Sequence, residues 1–423
     1  MHILLIIIAI GILIYVWQSN SKPKQDQNRL KFDSINNNDD FDHRVAFVSR
    51  GNLFIRDSNQ TINQVQSPYI QEMMDRVEKN QQRHGWKQGT SFGTSFVGKV
   101  EQPAADQVQI KVTSATFIEQ DKVLYFLKDK SFGGLFENDL KTNEEKRLLH
   151  KQNLVYQDLR LDSEQKQVLC SQVETTGVAN IVSFEKDGLG YRELTGGDTL
   201  DSAPCWLASD NQQIVFQSQG IARSSEGFVV AYGPASIQLL DIQQSDLSPV
   251  LESPSFDFMS PRVDSRGNLY FIRRPYEAPK YSTSSAVGDF FLFPFRLLRA
   301  VFHYLNFFSL MYSRKPLTSA SGPEVQADLK DILIKGKRID TENALKKEKT
   351  VNGVPSLVPE SWQLVKKESN GDETVLATNV TSFDLIEDKL VYSNGYGVFL
   401  LDTEKQHMSV LFKEKLIGEI ITS

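Results

Sequence analysis

The sequence predicts an all-β chain, an about six-bladed β-propeller with an N-terminal transmembrane anchor helix and an inserted amphipathic helix. A unit of strand, polar turn and second strand recurs in five full copies, which begin at Ala115, Leu159, Cys205, Pro261 and Phe383. The first four starts are separated by 44, 46 and 56 residues. Repeats of this length, each with several short strands, are typical of radial repetition, in which each copy forms one blade.

Each copy has the residue pattern of a β-meander. An alternating apolar strand leads into a turn of Asp, Ser, Asn or Gly, and the next strand is rich in β-branched and aromatic residues. Further strands are predicted at 179–184 and 191–194, at 228–232 and 236–241, and at 397–402 and 408–412. Residues 44–55 form a shortened first copy, and the last apolar segment, 416–421, has no partner in its own copy. We expect that segment to pair with the first blade, which closes the ring and removes an exposed sheet edge.

Two insertions, 67–110 and 276–356, interrupt the repeat. The first contains a predicted helix at 68–82, in which Ile70, Met73, Met74 and Val77 have helical spacing. The second lies inside or just after the fifth copy and is the unusual part of the chain.

Bulk composition limits the class of function. The chain has 423 residues and a net charge of −6, and this mild acidity argues against a general nucleic-acid binder. The two cysteines, Cys170 and Cys205, fall in neighbouring copies. They are interpreted as two free buried thiols, with a disulfide in an oxidising compartment as the alternative.

The N-terminus begins with an apolar run from Ile3 to Trp17. Fifteen residues are short for a membrane span, but the run lacks a basic residue before it and a good cleavage site after it. Tyr15 and Trp17 stand where interfacial aromatic residues belong. We therefore predict a retained anchor at 1–18, a flexible tether at 19–42 and the propeller at 43–423. A cleaved signal peptide and a buried core segment are the alternatives.

The basic residues after this run bear on its orientation. Lys22, Lys24, Arg29 and Lys31 follow it, and only His2 precedes it. The positive-inside rule then favours a propeller on the cytoplasmic face, most simply of a bacterial inner membrane. An N-terminal signal would instead export the bulk of the chain, so the periplasmic side remains the alternative.

The second insertion carries a dense apolar segment, 290–311, whose polar residues are few and regularly spaced. Arg296, Arg299 and His303 would form one narrow stripe on a helix, which suits a helix lying in the bilayer interface with this stripe toward the headgroups. Docking on a protein partner or on the propeller, and burial in the core, are the alternatives. The predicted membrane-contacting residues are Ile3, Leu4, Ile8, Ile12, Tyr15 and Trp17 in the anchor, and Phe290, Phe291, Phe293, Phe295, Leu298, Phe302, Leu305 and Phe308 in the insertion. A basic, helix-like tract follows at 329–349. It is interpreted either as a solvated surface or as a segment that is attracted to anionic lipid.

No residue pattern indicates catalysis. Gly89-Thr-Ser91-Phe-Gly93 matches the nucleophile-elbow pattern but lies in a polar loop without the strand and helix that an elbow needs. The six histidines are scattered, with no spacing typical of a metal site. We therefore predict no catalytic, cofactor-binding or metal-binding residues and no cofactor.

The copies resemble the TolB-type propeller repeat. The resemblance is clearest at 201–218, and a second good copy spans 260–271. The family pattern consists of a Pro, an aromatic residue, a Ser-Pro-Asp-Gly turn and an Ile-x-Phe-x-Ser strand. Ala208 and Asn211 replace the proline and the glycine of the turn. The resemblance covers 115–275 and 380–412 and implies the propeller fold. TolB is a soluble periplasmic protein that binds partner proteins and carries an α/β domain ahead of its propeller, for which this chain has no room, so those partners are not carried over.

These observations predict a membrane-anchored, non-catalytic propeller that serves as a protein-binding or scaffold module at the membrane surface. Its expected partners are membrane lipid and an unidentified protein. No nucleic-acid partner is expected. One alternative is a hydrolase-like enzyme acting on a small substrate at the central channel. The other is a module that inserts its helix into a partner membrane protein.

Overall fold

The structure is a computed structural model that describes residues 33–34, 41–85, 110–129, 131–162, 166–207, 210–224, 227, 229–277, 331–334, 337–340, 350–403 and 407–423. The elements of the first half are β1 (Asp33–Ser34), β2 (Val45–Ser49), β3 (Asn52–Arg56), β4 (Ile62–Gln64), α1 (Pro68–Gly85), β5 (Lys111–Glu119), β6 (Lys122–Lys128), β7 (Phe132–Asp139), β8 (Glu145–Gln152), β9 (Tyr156–Leu161), β10 (Gln167–Val173), β11 (Ala179–Glu185) and β12 (Arg192–Glu193). Those of the second half are β13 (Thr199–Leu207), β14 (Asp210–Arg223), β15 (Val229–Tyr232), β16 (Ser236–Asp241), β17 (Asp246–Leu251), β18 (Phe256–Val263), β19 (Leu269–Pro275), β20 (Asp331–Ile334), β21 (Lys337–Asp340), β22 (Gln363–Lys367), β23 (Glu373–Thr378), β24 (Ser382–Ile386), β25 (Lys389–Ser393), β26 (Gly397–Asp402), β27 (His407–Lys413) and β28 (Ile417–Thr422).

The strands form six antiparallel four-stranded units, which we number as blades from the N-terminus. From the inner strand outward they are β28-β2-β3-β4, β5-β6-β7-β8, β9-β10-β11-β12, β13-β14-β16-β17, β18-β19-β22-β23 and β24-β25-β26-β27. Blades 3 and 4 are joined into one larger sheet by a single parallel pair, Ala179 with Leu200. Each blade is a meander because consecutive strands are joined by short turns.

The inner strands form a closed ring. β5 contacts β9, and the contacts continue through β13, β18 and β24 to β28, which contacts β5. β28 pairs antiparallel with β2, from Val45 opposite Thr422 to Ser49 opposite Ile417. The prediction that the last apolar segment closes the ring on the first blade is therefore confirmed. A sheet arranged in this way leaves no open edge at the junction of the two chain ends.

Hydrogen bonds to side chains connect the inner strands of neighbouring blades, where the backbone hydrogen bonds of a β-ladder cannot form. Ser114 Oγ accepts from Leu159 N at 2.9 Å, and Asp158 Oδ2 accepts from Ala203 N at 3.0 Å. Ser382 Oγ accepts from the backbone N of Ile420 at 3.0 Å. Each acceptor belongs to one blade and each donor to the next. Such bonds satisfy backbone N–H groups that face the channel and would otherwise be buried without a partner.

The ring has two faces, and the order of the strands determines from which face each connecting segment leaves. We call the end at which the inner strands begin the upper face. In a meander, the loop between the second and third strands and the connection to the next blade both lie at this end. The segment between β4 and β5 and the segment between β19 and β22 therefore both leave from the upper face. The chain enters β2, and ends after β28, at the opposite, lower face.

The first insertion begins with the predicted helix. α1 runs over Pro68–Gly85, so the helix predicted at 68–82 is confirmed. Ser67 Oγ accepts from Ile70 N at 3.3 Å and thereby caps the helix N-terminus. Tyr69 packs on Phe136 of blade 2, with ring centroids 4.9 Å apart. The helix start is thus held against the outer part of the second blade.

The second insertion lies inside blade 5, between its second and third strands, because β19 pairs directly with β22. The returning segment at 350–362 packs between blades 5 and 6. Val354, Leu357, Val358 and Trp362 are at most 1% exposed and share one core cluster with residues of β24 and β25. The insertion is therefore rooted at the boundary between these two blades.

Substitution of two glycines, one in blade 5 and one in blade 6, tests how the returning segment of this insertion packs. Gly395 has a φ of +91°, and a Cβ there would lie 2.5 Å from Leu357 Cδ1. Gly371 has a φ of +94°, but nothing lies within 4 Å of the position of its Cβ. Gly371→Ala is expected to cost about 1 kcal/mol through backbone strain alone. Gly395→Ala is expected to cost about 1–3 kcal/mol more, because Leu357 must shift as well. Equal costs in urea unfolding would contradict the packing of 350–362 on blade 6.

Two sequence predictions require correction. The tract at 329–349 was expected to be helix-like, whereas Asp331–Ile334 and Lys337–Asp340 pair as a two-stranded antiparallel sheet. The β-branched residues Ile332, Ile334 and Ile339 favour strands over a helix. The segment at 228–232 was expected to be one of the strands that close its copy, but within the described residues β15 pairs with the far end of β14 and lies outside the four-stranded blade. The third and fourth strands of blade 4 are β16 and β17.

Candidate functional site

The membrane-contacting residues predicted from the sequence, Ile3 to Trp17 and Phe290 to Phe308, lie outside the described residues, as do Arg296, Arg299, His303 and Ser91. No helix within the described ranges is both long enough and apolar enough to cross a bilayer. Two residues of the predicted tether are described. Asp33 and Ser34 pair in parallel with His407 and Met408 at the outer edge of blade 6.

The candidate site in the described part of the chain lies in the central channel, where three inner strands carry equivalent bulges. Asp158, Ala203 and Ser260 have φ values of 54°, 51° and 53°, and the pairing register shifts beside each of them. A positive φ is uncommon for residues other than glycine, and bulges often turn side chains toward a functional site. All three residues line the same chamber.

This chamber occupies the upper part of the channel and has a volume of about 350 Å³. Its polar lining consists of Thr113, Gln157, Asp158, Ser171, Ser202, Gln217, Gln219, Ser260 and Glu419, and its apolar lining consists of Val48, Val173, Ala179, Leu200 and Ala203, with Gly418. Gln157 and Gly418 are exposed, so the chamber is open to solvent. Of these lining residues, only Asp158 and Glu419 bear a charge.

Three charged residues fill the channel between the inner strands of blades 3, 5 and 6. Arg160 Nη1 lies 3.1 Å from Asp384 Oδ2, and Arg262 Nε lies 3.3 Å from Asp384 Oδ1. The three side chains are 12%, 9% and 7% exposed, respectively. Asp384 Oδ2 also accepts from Thr422 N at 2.9 Å. We call Arg160, Arg262 and Asp384 the charged floor, since Arg160 and Arg262 each stand two residues farther along their strands than the bulges.

The charged floor contains two positive charges and one negative charge, joined by two ion pairs. Burial by itself would raise the pKa of Asp384, but the charges of Arg160 and Arg262 outweigh it and hold the pKa below its ordinary value. Burial lowers the pKa of Arg262, and repulsion from Arg160 lowers it further. One carboxylate thus serves two guanidinium groups. Glu419 and Asp158 add attraction from the chamber side, toward Arg160 and Arg262 respectively.

Sequence reasoning missed this site, although the repeat contains a signal for it. Arg160, Arg262 and Asp384 each occupy the second position of their copy, within strands that are otherwise mostly apolar. Opposite charges at one repeat position meet on the axis of a propeller because equivalent residues of all blades point at the same centre. The chamber carboxylates gave no such signal, since Glu419 comes from the closing strand.

The upper face beside the chamber is shaped by a hairpin and by the root of the second insertion. β14 continues past the blade and pairs with β15 through Ile221 opposite Tyr232. Tyr276 Oη donates to the backbone O of Tyr232 at 2.8 Å, which connects the insertion root to this hairpin. Arg274 Nε donates to Asp257 Oδ2 at 2.7 Å, and its guanidinium lies 4.8 Å from the centroid of the Trp362 ring.

The two cysteines are free, Cys170 buried and Cys205 half-buried. Burial raises the pKa of the Cys170 thiol well above its ordinary value, which makes it unreactive. Within the described ranges, no group of three or more His, Cys, Asp or Glu side chains is arranged to hold a metal ion.

No protein-family model matches the chain, and no curated protein matches it. Solved structures similar to it include TolB from Acinetobacter baumannii, with 11% identity over 90% of this chain and 67% of that chain and a TM-score of 0.47. A TolB structure from Agrobacterium tumefaciens has 10% identity over 90% of this chain and 96% of its own length, with a TM-score of 0.42. The propeller domain of the trilobed protease from Pyrococcus furiosus has 8% identity over 92% of this chain and 97% of that one, with a TM-score of 0.40.

Strand order and the closed ring of inner strands establish the fold without reference to these structures. The chain is a β-propeller.

Proposed function

We propose that the protein is a membrane-tethered propeller that binds a protein partner on its upper face, with the sector of blades 5 and 6 turned toward the bilayer. The observation that carries the proposal is the position of β1. Its pairing with β27 holds the predicted tether at the outer edge of blade 6. The aromatic insertion leaves from blade 5, the next blade around the ring.

The two predicted membrane contacts therefore share one sector of the ring, although the insertion leaves from the upper face and the tether joins near the lower one. A ring held in this way stands on its edge at the membrane. One flexible tether leaves the tilt of the ring free, whereas two contacts on one sector restrain it. The returning segment at 350–362 supports this arrangement, because its burial between blades 5 and 6 makes the root of the insertion rigid.

The upper face is the surface proposed for the protein partner. Both insertions leave from this face, and the β14–β15 hairpin and the open mouth of the chamber lie on it. Val230 and Tyr232 of the hairpin are 45% and 41% exposed, and Phe132 at the upper end of blade 2 is 42% exposed. Aromatic and apolar side chains exposed around a polar opening are typical of surfaces that bind another protein.

Four forms of the full chain test the membrane contacts: the intact protein, a form without residues 1–18, a form in which a Gly/Ser linker of equal length replaces 289–312, and a form with both changes. We expect the single variants to stay with the membrane fraction and the double variant to become soluble. The linker preserves the closure of blade 5 and is the control for folding, which the thermal melt of each variant checks.

Flotation of the form without 1–18 on liposomes separates lipid from a protein partner. Binding to liposomes that depends on 289–312 is expected if the insertion contacts lipid. Recovery of this form with membranes but not with protein-free liposomes would favour insertion into a membrane protein instead. Sedimentation of the double variant with membranes would contradict both predicted contacts.

A reporter fused after Ser423 determines the compartment. The basic residues after the anchor favour the cytoplasmic side, so a cytoplasmic reporter is expected to be active. An active periplasmic reporter would reverse this orientation and change the set of candidate partners.

Catalysis on a small substrate in the channel is the second candidate function. One observation favours it: Asp158 and Glu419 are two carboxylates facing a chamber that is open to solvent. The charged floor restricts any substrate to the upper part of the channel. Binding without turnover of any ligand found for the chamber would favour the non-catalytic function.

A further inference from the structure

We propose that a second cavity, in a cleft between blades 3 and 4, is a binding site for a small primary amine that carries an apolar chain. The cavity has a volume of about 380 Å³ and shares no lining residue with the channel chamber. This volume lies within the range of small-molecule sites. The inference rests on the cleft alone, so it stands or falls separately from the membrane contacts and from the protein partner.

The two blades that form the cleft have outer strands of unequal length. β12, the outer strand of blade 3, has two residues, whereas β17, the outer strand of blade 4, has six. The outer part of the blade 4 face therefore has no matching strand of blade 3 to cover it. Leu247 of β17 lies opposite Leu240 of β16 and is 55% exposed. Apolar surface beside a cavity is thus left free for a ligand.

The outer part of the cavity has an apolar wall. Its apolar lining residues are Leu194, Phe216, Leu240, Ile242 and Leu247. Phe216 and Leu240 are buried in the core cluster between the two blades, and Leu194 and Ile242 pack against that cluster. The core therefore holds most of this wall in place before a ligand arrives. Each methylene group that moves from water onto such a wall is expected to strengthen binding about fourfold.

The inner end of the cavity is polar and contains one buried carboxylate, that of Asp201. Asp201 of β13 lies opposite Ser218 of β14, and Ser218 Oγ donates to Asp201 Oδ1 at 2.6 Å. The hydroxyl groups of Thr195 and Thr199 belong to the same lining. Three strand spacings of about 4.8 Å separate β13 from β17, so the polar and apolar ends of the cavity lie roughly 14 Å apart.

The Asp201 carboxylate is held by neutral groups. Burial raises its pKa, hydrogen bonds from hydroxyl groups, that of Ser218 above all, oppose the rise, and no basic side chain of the described residues contributes. A buried carboxylate without a positive partner is costly. An ammonium group supplies the missing charge and has three N–H donors for the carboxylate and the surrounding hydroxyls. The inner end therefore suits the head of a primary amine, and the apolar wall suits its chain.

Two charged residues, Arg192 and Glu193, also line the cavity. They are neighbours on β12, and both are exposed to solvent. Their charges are opposite and are screened by water and salt, so they add little at the buried end. The Asp201 carboxylate then decides which head group is accepted, and it excludes a ligand that carries a carboxylate head.

Titration calorimetry on the full-length protein in detergent tests the inference with probes of equal chain length. Hexylamine carries the ammonium group, 1-hexanol has a hydroxyl in its place, and hexanoate carries a negative charge. We expect hexylamine to bind at least 10-fold more tightly than hexanol, and hexanoate not to bind. Butylamine, which is two methylenes shorter, is expected to bind about 15-fold more weakly than hexylamine.

Titration of each probe into detergent alone measures its partition into micelles, which is subtracted. Equal affinities for hexylamine and hexanol, or no saturable heat from hexylamine up to about 10 mM, would overturn the proposal.

Asp201→Asn removes the charge at the inner end and keeps an oxygen to which Ser218 Oγ can donate. We expect this variant to bind hexylamine about 10-fold more weakly and to bind hexanol as the intact protein does, which distinguishes loss of charge from loss of the fold. Asp388→Asn, in an exposed ion pair with Arg266 at 3.0 Å, is the control and should bind both probes normally. Unchanged affinity for hexylamine in Asp201→Asn would overturn the proposal.

Leu247→Ala tests the apolar end of the cavity. Its control is Leu189→Ala, because Leu189 is 66% exposed and does not line the cavity. Both leucines are largely exposed, so both variants are expected to melt as the intact protein does. We expect Leu247→Ala to reduce the advantage of hexylamine over butylamine and Leu189→Ala to leave it unchanged. An undiminished advantage in Leu247→Ala would contradict the proposed position of the chain.

Discussion

Replacing Asp384 with asparagine is expected to destabilise the propeller by about 3–5 kcal/mol in denaturant unfolding, because two buried guanidinium groups lose their shared partner. Arg160 and Arg262 stand 3.1 and 3.3 Å from its two carboxylate oxygens. An amide has the shape of the carboxylate but neither its charge nor its second acceptor oxygen. The two arginines would then repel each other with only the smaller attractions of Glu419 and Asp158 to offset the repulsion, in a part of the channel from which water is largely excluded.

The matched control is Asp388→Asn, in the turn of the same β24–β25 hairpin. Asp388 and Arg266 form an ion pair at 3.0 Å, but their side chains are 55% and 62% exposed. Exposed pairs contribute little, so the control is expected to change the free energy of unfolding by less than about 0.5 kcal/mol. Similar losses in both variants would show that the charged floor contributes no more than a surface pair.

The same residue makes the stability depend on pH in a defined direction. The pKa of Asp384 is lower in the folded protein than its ordinary value, because the two arginines outweigh the effect of burial. A carboxyl group of this kind stabilises the fold above its unfolded pKa of about 3.9, and the contribution is lost as the pH falls through the folded pKa. The gap in unfolding free energy between the intact protein and Asp384→Asn should therefore be constant from pH 5 to 7 and narrow below about pH 4. A gap that widens on acidification would contradict the direction of the shift.

Deleting residues 417–423 is expected to abolish the cooperative fold. These residues include β28, the inner strand of blade 1, in which Ile417, Ile420 and Ile421 are at most 1% exposed. Without this strand, β2 has an unpaired edge, the inner strand of blade 6 loses its neighbour, and Asp384 loses its bond from Thr422. We expect loss of the thermal transition in circular dichroism and a shift to aggregates in size-exclusion chromatography.

Ile420→Val is the control for the deletion. It removes one methylene from the same strand and is expected to cost about 0.5–1.5 kcal/mol while the protein remains folded. A truncated chain that melts cooperatively near the temperature of the intact protein would show that the ring closes without β28.

The sequence predicted most of the strands because their signals are local. The strands predicted at 236–241 and 397–402 have the bounds that the structure gives to β16 and β26. Alternating apolar residues set the faces of these strands, and the polar turns between them set their ends. The closing role of 416–421 was also predictable, since an apolar strand without a partner in its own copy has to pair elsewhere.

The errors arose where pairing is decided at a distance. The segment at 228–232 has good strand composition, and so does β16 behind it, so composition alone does not determine which of the two continues the blade. The long β14 decides it, because its first part pairs with β16 and its last residues pair with β15. The tract at 329–349 was interpreted as helix-like, but β20 and β21 within it pair as strands and form backbone hydrogen bonds with each other.

By itself, the sequence determined the repeat, the number of blades to within one, and the way in which the ring closes. The reason is that periodicity and turn type depend on residues that are close together in the sequence. Only the tertiary structure brought Arg160, Arg262 and Asp384 together, and it brought Asp158 and Glu419 to the lining of one chamber although 261 positions separate them in the chain. The physical reason is that residues from different blades meet only at the axis of the ring. Which side chains meet there depends on bulges and strand register, and these are set by the packing of the whole ring.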